Sequence, residues 1–159
     1  MRSRLSLAAL AVALVGAFLV PHTALGLGHH SARMTGTEHF RVLSSNPSNK
    51  AVPVVVATGP IHAKGRDIVL SQHKDKFVFP MGAVIAVHTP TGHHQSHDAT
   101  TCYTKFTEHG TYRVTRGTGA YAGAHGSGTY HVVVQIVACP NHRPRYFNQQ
   151  INASGPLTK

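Results

Sequence analysis

The sequence predicts an all-β protein, and three observations support this class. Short segments rich in β-branched and aromatic residues follow one another along the chain. Stretches rich in Gly, Pro, Asn and His separate them. No segment after the first 26 residues has the apolar periodicity of an amphipathic helix. Successive short strands without helices form a meander, which buries its apolar side by closing as a barrel or packing as a sandwich.

About eight strands are predicted. Pro80 and Gly82 interrupt one apolar run, so segment 76–88 contains one or two strands. Segment 108–110, Glu-His-Gly, predicts a tight hairpin turn, and segment 89–100 predicts a loop. The predicted strand segments are 35–43, 52–58, 61–70, 76–88, 102–107, 111–115, 128–138 and 146–153.

The longest predicted strand, 128–138, presents two faces. Tyr130, Val132, Val134 and Ile136 alternate along one of them, and we expect this apolar face to point into a barrel. The opposite face is mixed and nearly as apolar. The outside of this strand is therefore expected to pack against another element or subunit.

The N-terminus has the pattern of a secretory signal peptide. Arg2 and Arg4 precede an apolar run, 5–20, and small residues around 24–26 provide a cleavage site. The alternative is a membrane anchor, but the run is shorter than the roughly 20 residues that span a bilayer. The sequence thus predicts a signal peptide over 1–26 and one secreted, extracellular domain over 27–159, with no membrane span after processing.

The chain is strongly basic, with 15 Lys and Arg against five acidic residues. Without Arg2 and Arg4 the difference is 13 minus 5, a net charge of about +8. The cations are scattered and form no block or basic helix, so no specific nucleic-acid partner is predicted. The charge is compatible with anionic polymers or surfaces.

Cys102 and Cys139 are the only cysteines. An even count in an exported chain predicts one disulfide, and neither cysteine belongs to a CxxC pair. In the predicted meander the two residues flank strands that are two apart, so we expect the loops to fold back to join them.

The segment from Arg116 to Gly128 is rich in glycine and runs directly into the longest strand. A dinucleotide site would need GxGxxG before a helix, whereas Gly117, Gly119 and Gly123 give GxGxxxG before a strand. A P-loop lysine is also absent. We therefore expect these glycines, with Gly126, to allow left-handed dihedrals and close backbone approach at a barrel corner.

Residues 117–128, GTGAYAGAHGSG, resemble the "GTGxYxGAxGxG" segment of the allene oxide cyclase and dirigent superfamily, particularly its secreted actinobacterial members. The likeness extends over about 33–157. It implies an eight-stranded antiparallel β-barrel that holds an apolar substrate in its mouth, and a homo-oligomer, since plant members are often trimers. No acidic residue matches a catalytic position of the family. The chain therefore carries no predicted catalytic residue, and a cyclase-like isomerase step is only the activity that the resemblance would imply.

Thirteen of the 14 histidines follow residue 26. Imidazoles bind zinc, copper and nickel, so one hypothesis is a metal site. The favoured interpretation is that these histidines are solvated loop residues, because no spacing fixes a ligand set, and no cofactor is predicted. The candidate metal ligands are His29, near the predicted mature N-terminus, and His88, His93, His94 and His97.

The leading functional hypothesis is a secreted barrel that binds a small apolar or aromatic molecule in its mouth. Tyr130, Val132, Val134 and Ile136 are its predicted ligand-binding residues. The alternative is an extracellular histidine-rich protein that binds metal or surfaces without catalysis.

Overall fold

The computed structural model describes residues 34–45 and 52–159. Each strand pairs antiparallel with the next, and the first pairs with the last, which closes a barrel. The predicted all-β class and the eight-stranded antiparallel barrel are confirmed, and the described residues contain no helix. The strands are β1 (Thr35–Ser44), β2 (Val54–Thr58), β3 (Ala63–Ser71), β4 (Lys74–Phe79), β5 (Gly82–Asp98), β6 (Tyr103–Gly119), β7 (His125–Val137) and β8 (Tyr146–Thr158).

The barrel interior is filled by alternate residues of each strand, as a pleated backbone requires. On β1, for example, Phe40 and Val42 are buried while His39 and Arg41 are exposed. Phe40 contacts Phe77 of β4 and Tyr112 of β6 across the lumen, with ring centroids 5.1 and 6.2 Å apart. The core is therefore built from aromatic and aliphatic side chains that meet in the middle of the barrel.

The two ends of the barrel differ. At one end, the β2–β3 and β6–β7 turns bury Ile61, Tyr121 and Ala124 beside Leu157 of β8. The ring of Tyr121 packs edge-on against Phe79 at 5.9 Å, so this end is closed. The β3–β4, β5–β6 and β7–β8 connections lie at the other end, which we call the mouth end.

Strands β5 to β8 extend at the mouth end as a half-exposed sheet, and here two sequence predictions are wrong. Segment 89–100 is not a loop, because β5 continues to Asp98, and Glu-His-Gly at 108–110 is not a turn, because β6 is one strand. A register shift between Pro90 and Gly92 accommodates the proline. Gly110 serves close packing, since a Cβ there would meet the carbonyl oxygen of Thr89 and the ring of Tyr130.

The glycine-rich segment forms the β6–β7 corner, as predicted. Gly119 and Gly123 have φ of 59° and 87°, the left-handed region that favours glycine. Gly117 and Gly126 lie in strands, where a Cβ would overlap the carbonyl oxygens of Tyr121 and Pro156. Two of the four glycines therefore serve the turn, and two serve close backbone approach.

The predicted disulfide joins Cys102 and Cys139, with Cα atoms 4.9 Å apart. Cys102 precedes β6 and Cys139 follows β7, and these strands are neighbours in which Tyr103 pairs with Val137. The expectation that loops must fold back was wrong, because β6 is one strand rather than two. The bond closes the open end of the β6–β7 hairpin.

We expect the purified protein to have no reactive thiol in denaturant before reduction and two reactive thiols after it, since Cys102 and Cys139 are the only cysteines and are bonded to each other. Thiol titration with and without reductant, checked by intact mass, measures both values. Two reactive thiols before reduction would contradict the bond.

Candidate functional site at the barrel mouth

A cavity of about 60 Å³ lies in the barrel toward the mouth end. Its wall is mainly aromatic and aliphatic, and two carboxyl groups and one imidazole interrupt it. Because most of the wall is apolar, these polar groups are held in an environment that strengthens their mutual interactions. The lining residues are Phe40, Asp75, Phe77, Ala86, His88, Glu108, Tyr112, Tyr130, Val132, Ile151 and Ala153.

Asp75 and His88 form the first polar pair. Asp75 lies on the inward face of β4 two residues before Phe77, and the His88 Nε2 atom is 3.5 Å from its Oδ2 atom. Burial raises the pKa of Asp75, and the nearby His88 offsets part of that rise. The His88 ring also contacts Tyr130 and His73 edge-on, with centroids 5.4 and 5.5 Å apart. The imidazole is therefore held between a carboxyl group and two aromatic rings.

Tyr130 and Glu108 form the second pair. The Tyr130 hydroxyl donates a hydrogen bond of 2.8 Å to the Glu108 Oε1 atom. Burial, followed by the effect of this hydrogen bond and of the Glu108 charge, raises the pKa of Tyr130. Tyr130 is therefore a neutral donor near pH 7, and its partner is fixed by the pairing of β6 with β7.

Two further acids lie on the interior face of the barrel. Glu38 is fully buried, and burial raises its pKa to about 7, although the Ile61 amide donates a 2.6 Å hydrogen bond to its Oε2 atom. Burial, and secondarily the charge of Asp75, raises the pKa of Asp67 to about 7. One oxygen of each group, Glu38 Oε1 and Asp67 Oδ1, has no hydrogen-bond partner. Both positions therefore favour a protonated carboxyl group.

Sequence reasoning missed these acids, because they matched no catalytic pattern of the resembled family. A usable signal was present in strand alternation. Alternate residues of a strand lie on the same face. Asp75 is therefore on the face of Phe77 and Phe79, and Glu38 is on the face of Phe40 and Val42. An acid in phase with apolar residues of a barrel strand predicts a carboxyl group in the lumen.

The predicted ligand-binding residues lie on one face of β7. Tyr130 and Val132 are buried and line the cavity, and Val134 packs against the core while remaining partly exposed. Ile136 continues the same face beyond the cavity and is half-buried. Partners in register place Phe106 of β6 and Phe147 of β8 beside this face. We call Phe106, Val134, Ile136 and Phe147 the apolar strip, and it continues the cavity wall outward.

The four predicted histidine ligands within the described residues do not converge. His93 and His97 pair with Glu108 and Thr104 on one face of β5, His94 lies on the opposite face, and His88 is in the cavity. His93 stacks on Phe106 at 6.1 Å, and the His97 Nδ1 atom is 2.9 Å from the Thr104 hydroxyl. Over residues 34–45 and 52–159 no group of three or more His, Cys, Asp or Glu side chains could hold a metal ion. The prediction that 89–100 is a loop was wrong, because β5 continues to Asp98, whereas metal binding by these histidines stays a hypothesis.

The remaining predictions at the N-terminus, His29 and the signal peptide, lie outside the described residues. In the part that is described, no helix is long and apolar enough to cross a membrane.

Comparison with protein-family models, with curated proteins and with solved structures gives no match to this chain. The resemblance of 117–128 to the allene oxide cyclase and dirigent segment therefore stays a prediction. The site is defined by its geometry alone, as an apolar cavity with two polar pairs in its wall.

Proposed function

We propose that the barrel binds a small apolar or aromatic molecule that carries one hydrogen-bonding end group. The observation that carries this proposal is the aromatic cavity with the pairs Asp75–His88 and Glu108–Tyr130 in its wall. Ligand sites are typically apolar surfaces with a few convergent polar groups, and the mouths of β-barrels are frequent locations for them.

The size of the cavity restricts how such a ligand lies. A volume of about 60 Å³ is smaller than the roughly 150 Å³ cavity that holds benzene, but exceeds the roughly 10–15 Å³ needed for one water. It therefore has room for an end group such as a hydroxyl rather than for a whole ring. The ring or chain of the ligand would lie on the apolar strip.

The polar pairs favour an end group that donates a hydrogen bond. Glu108 already accepts from Tyr130 through Oε1 and has a second oxygen, and Asp75 offers its carboxyl group beside His88. A phenol or alcohol satisfies either acceptor. A cyclase-like or dirigent-like step, as implied by the resemblance, would use these same groups for proton transfer. We further propose that the protein acts outside the cell, and its disulfide is compatible with that location.

We expect Val134→Arg to abolish binding of a neutral apolar dye such as N-phenyl-1-naphthylamine, because it places a charge in the apolar strip between Phe106 and the cavity. Val133→Arg is the matched control, since Val133 is the adjacent, equally half-buried residue on the opposite face. Dye fluorescence measures binding, and circular dichroism confirms that both variants fold. Equal dye binding by the two variants would contradict the site.

The end group is tested with Glu108→Gln and Asp75→Asn. Loss of a hydrogen bond to a charged acceptor costs about 1.5–3 kcal/mol. We therefore expect a phenolic ligand to bind at least about tenfold more weakly to one of these two variants than to the unmodified protein. Naphthalene, which has no hydrogen-bond donor, is expected to bind both variants as tightly as it binds the unmodified protein. Native mass spectrometry of the purified protein would identify a ligand that it carries.

A further inference from the structure

Exposed large apolar side chains are concentrated at the mouth end. Five of the six in the described residues lie there, and only Met81, in the β4–β5 turn, lies at the closed end. Apolar residues scattered singly over a surface need no explanation, whereas a group at one end of a molecule indicates an interaction surface. The five at the mouth end are Val52, Ile68, Val69, Leu70 and Tyr146.

The β3–β4 hairpin carries three of them in succession. Ile68, Val69 and Leu70 are 39%, 65% and 47% exposed. Side chains of successive strand residues point to opposite faces, so an exposed apolar triplet means that the described residues cover neither face of the hairpin tip. We call Ile68–Leu70 the apolar tip.

Cations accompany the apolar tip. Lys76 pairs in register with Ile68, and Lys74 pairs with Ser71. Asp75, which lies between the two lysines, turns its carboxyl group into the barrel beside His88. The outer surface of the hairpin therefore presents aliphatic side chains together with positive charge.

The β7–β8 connection at the mouth end is also basic. Arg143 and Arg145 are exposed in the β7–β8 connection, and Lys105 is exposed on β6. Four of the five acids, Glu38, Asp67, Asp75 and Glu108, lie on the interior face. Asp98 is the one acid on the outside, and it accepts hydrogen bonds from Thr100 and Thr101.

We propose that the mouth end docks on an anionic lipid bilayer, with the apolar tip inserted among the acyl chains and Lys74 and Lys76 at the level of the phosphates. Apolar side chains beside cations, with an aromatic residue such as Tyr146 at the edge, are what an anionic membrane interface binds. The cavity lies toward the same end, so the mouth of a docked barrel would face the phase in which apolar ligands collect. The docking rests on the exposed tip and its charges, and it does not depend on the ligand site.

Charge disfavours a second copy of this chain as the occupant. A two-fold symmetric contact at the apolar tip would place Lys74 and Lys76 against the same lysines of the other copy. A single-stranded nucleic acid is disfavoured because base stacking needs exposed aromatic rings, and this chain has no Trp and only one large exposed aromatic residue, Tyr146, in the described part. An anionic bilayer matches both the apolar and the charged component.

Depth of insertion can be measured because the chain contains no tryptophan. In Leu70→Trp, addition of vesicles of phosphatidylcholine with phosphatidylglycerol should shift the emission to shorter wavelength, and brominated acyl chains should quench it. Met81→Trp is the matched control at the closed end, where the residue is 68% exposed, and its emission should not change. Absence of quenching in Leu70→Trp, or equal quenching in Met81→Trp, would overturn the proposal.

The charge component is tested by vesicle co-sedimentation. Each cation near an anionic leaflet contributes about fivefold in affinity, so Lys74→Gln with Lys76→Gln should weaken binding about thirtyfold. Arg113→Gln with Arg116→Gln removes the same charge from exposed positions of β6 nearer the closed end and should leave binding within about twofold to threefold, the effect of net charge alone. Vesicles of phosphatidylcholine alone should bind the unmodified protein far more weakly.

Two outcomes would contradict docking of this end on lipid. Equal weakening by both double variants would mean that only overall charge acts. Sedimentation of the unmodified protein as an oligomer that dissociates in Ile68→Ser with Leu70→Ser would mean that another copy covers the apolar tip.

Discussion

Replacement of Glu38 by Gln is expected to abolish a fall of roughly 3 kcal/mol in the unfolding free energy. In the unmodified protein, Glu38 should cause that fall as the pH rises from about 4.5 to 8. Burial raises the pKa of Glu38 from 4.5 to about 7 in the folded barrel. Its Oε1 atom has no hydrogen-bond partner. The folded protein therefore binds a proton at this site in a range in which the unfolded chain has released it.

The sign follows from that difference. A pKa raised in the folded state gives stability that is complete below the unfolded value and is lost as pH rises through the folded value, here about 7. The unmodified protein should thus become less stable from mildly acidic to mildly alkaline pH. The amide of the Glu38→Gln variant cannot ionise, so that variant should keep its stability over this range. Asp67→Asn is expected to act in the same direction, because burial and then the charge of Asp75 raise the pKa of Asp67 to about 7.

Urea unfolding at a series of pH values measures this effect. The other ionisable groups are the same in the variant and the unmodified protein, so the difference between the two curves isolates Glu38. Asp98→Asn is the matched control, since hydrogen bonds from Thr101 and Thr100 lower the pKa of that exposed acid and its titration lies below the range. If the unfolding free energies of Glu38→Gln and the unmodified protein changed with pH in the same way, the prediction would be wrong. The carboxyl group would then be solvated in the folded protein and its pKa would not be raised.

The position of these acids links stability to the proposed function. Asp75 and Glu108 line the cavity, whereas Glu38 is fully buried beside Ile61 near the closed end. A lumen that keeps some of its carboxyl groups protonated near neutral pH stays less charged. It can therefore combine an apolar wall with acceptors for a ligand hydroxyl at the mouth.

The sequence predicts best those strands in which part of one face is buried. β1 alternates between buried and exposed residues from Glu38 to Val42, and β7 alternates up to Val132. Their predicted segments, 35–43 and 128–138, match Thr35–Ser44 and His125–Val137 closely. β5 from Thr89 to Asp98 is almost entirely exposed, so hydrophobic alternation gives no signal there. Its extended form comes from pairing with β6, a tertiary effect that overrides local Pro, Gly and His preferences.

The site was predictable only in part for the same reason. The face of Tyr130 and Val132 follows from alternation within a single strand, and it was found. The pairs Asp75–His88 and Glu108–Tyr130 each join residues of neighbouring strands, so they depend on register. The register of β6 on β7 could not be derived while 108–110 was assigned as a turn, and that of β4 on β5 could not while segment 76–88 was read as one or two strands. His88, the last residue of that segment, was consequently grouped with the candidate metal ligands rather than placed in the barrel interior.

The closed end depends on a backbone approach that only glycine permits. At Gly117 a Cβ would overlap the carbonyl oxygen of Tyr121 and crowd Ala124. The side chains of Tyr121 and Ala124 are buried in the β6–β7 corner, and the Tyr121 ring packs on Phe79. Gly117 is therefore required for the corner that closes this end of the barrel.

Gly117→Ala is expected to destabilise the protein by more than about 3 kcal/mol, because the corner must move away from the barrel to admit the methyl group and cannot do so without unpacking Tyr121. Gly123→Ala is the matched control in the same turn. No heavy atom lies within 4 Å of the Cβ position there, so only its φ of 87° opposes the change, at a cost of about 1–2 kcal/mol. Urea unfolding of the two variants separates overlap from dihedral strain. If both lose the same stability, overlap at Gly117 has no role, and if neither loses any, the corner does not close the barrel as described.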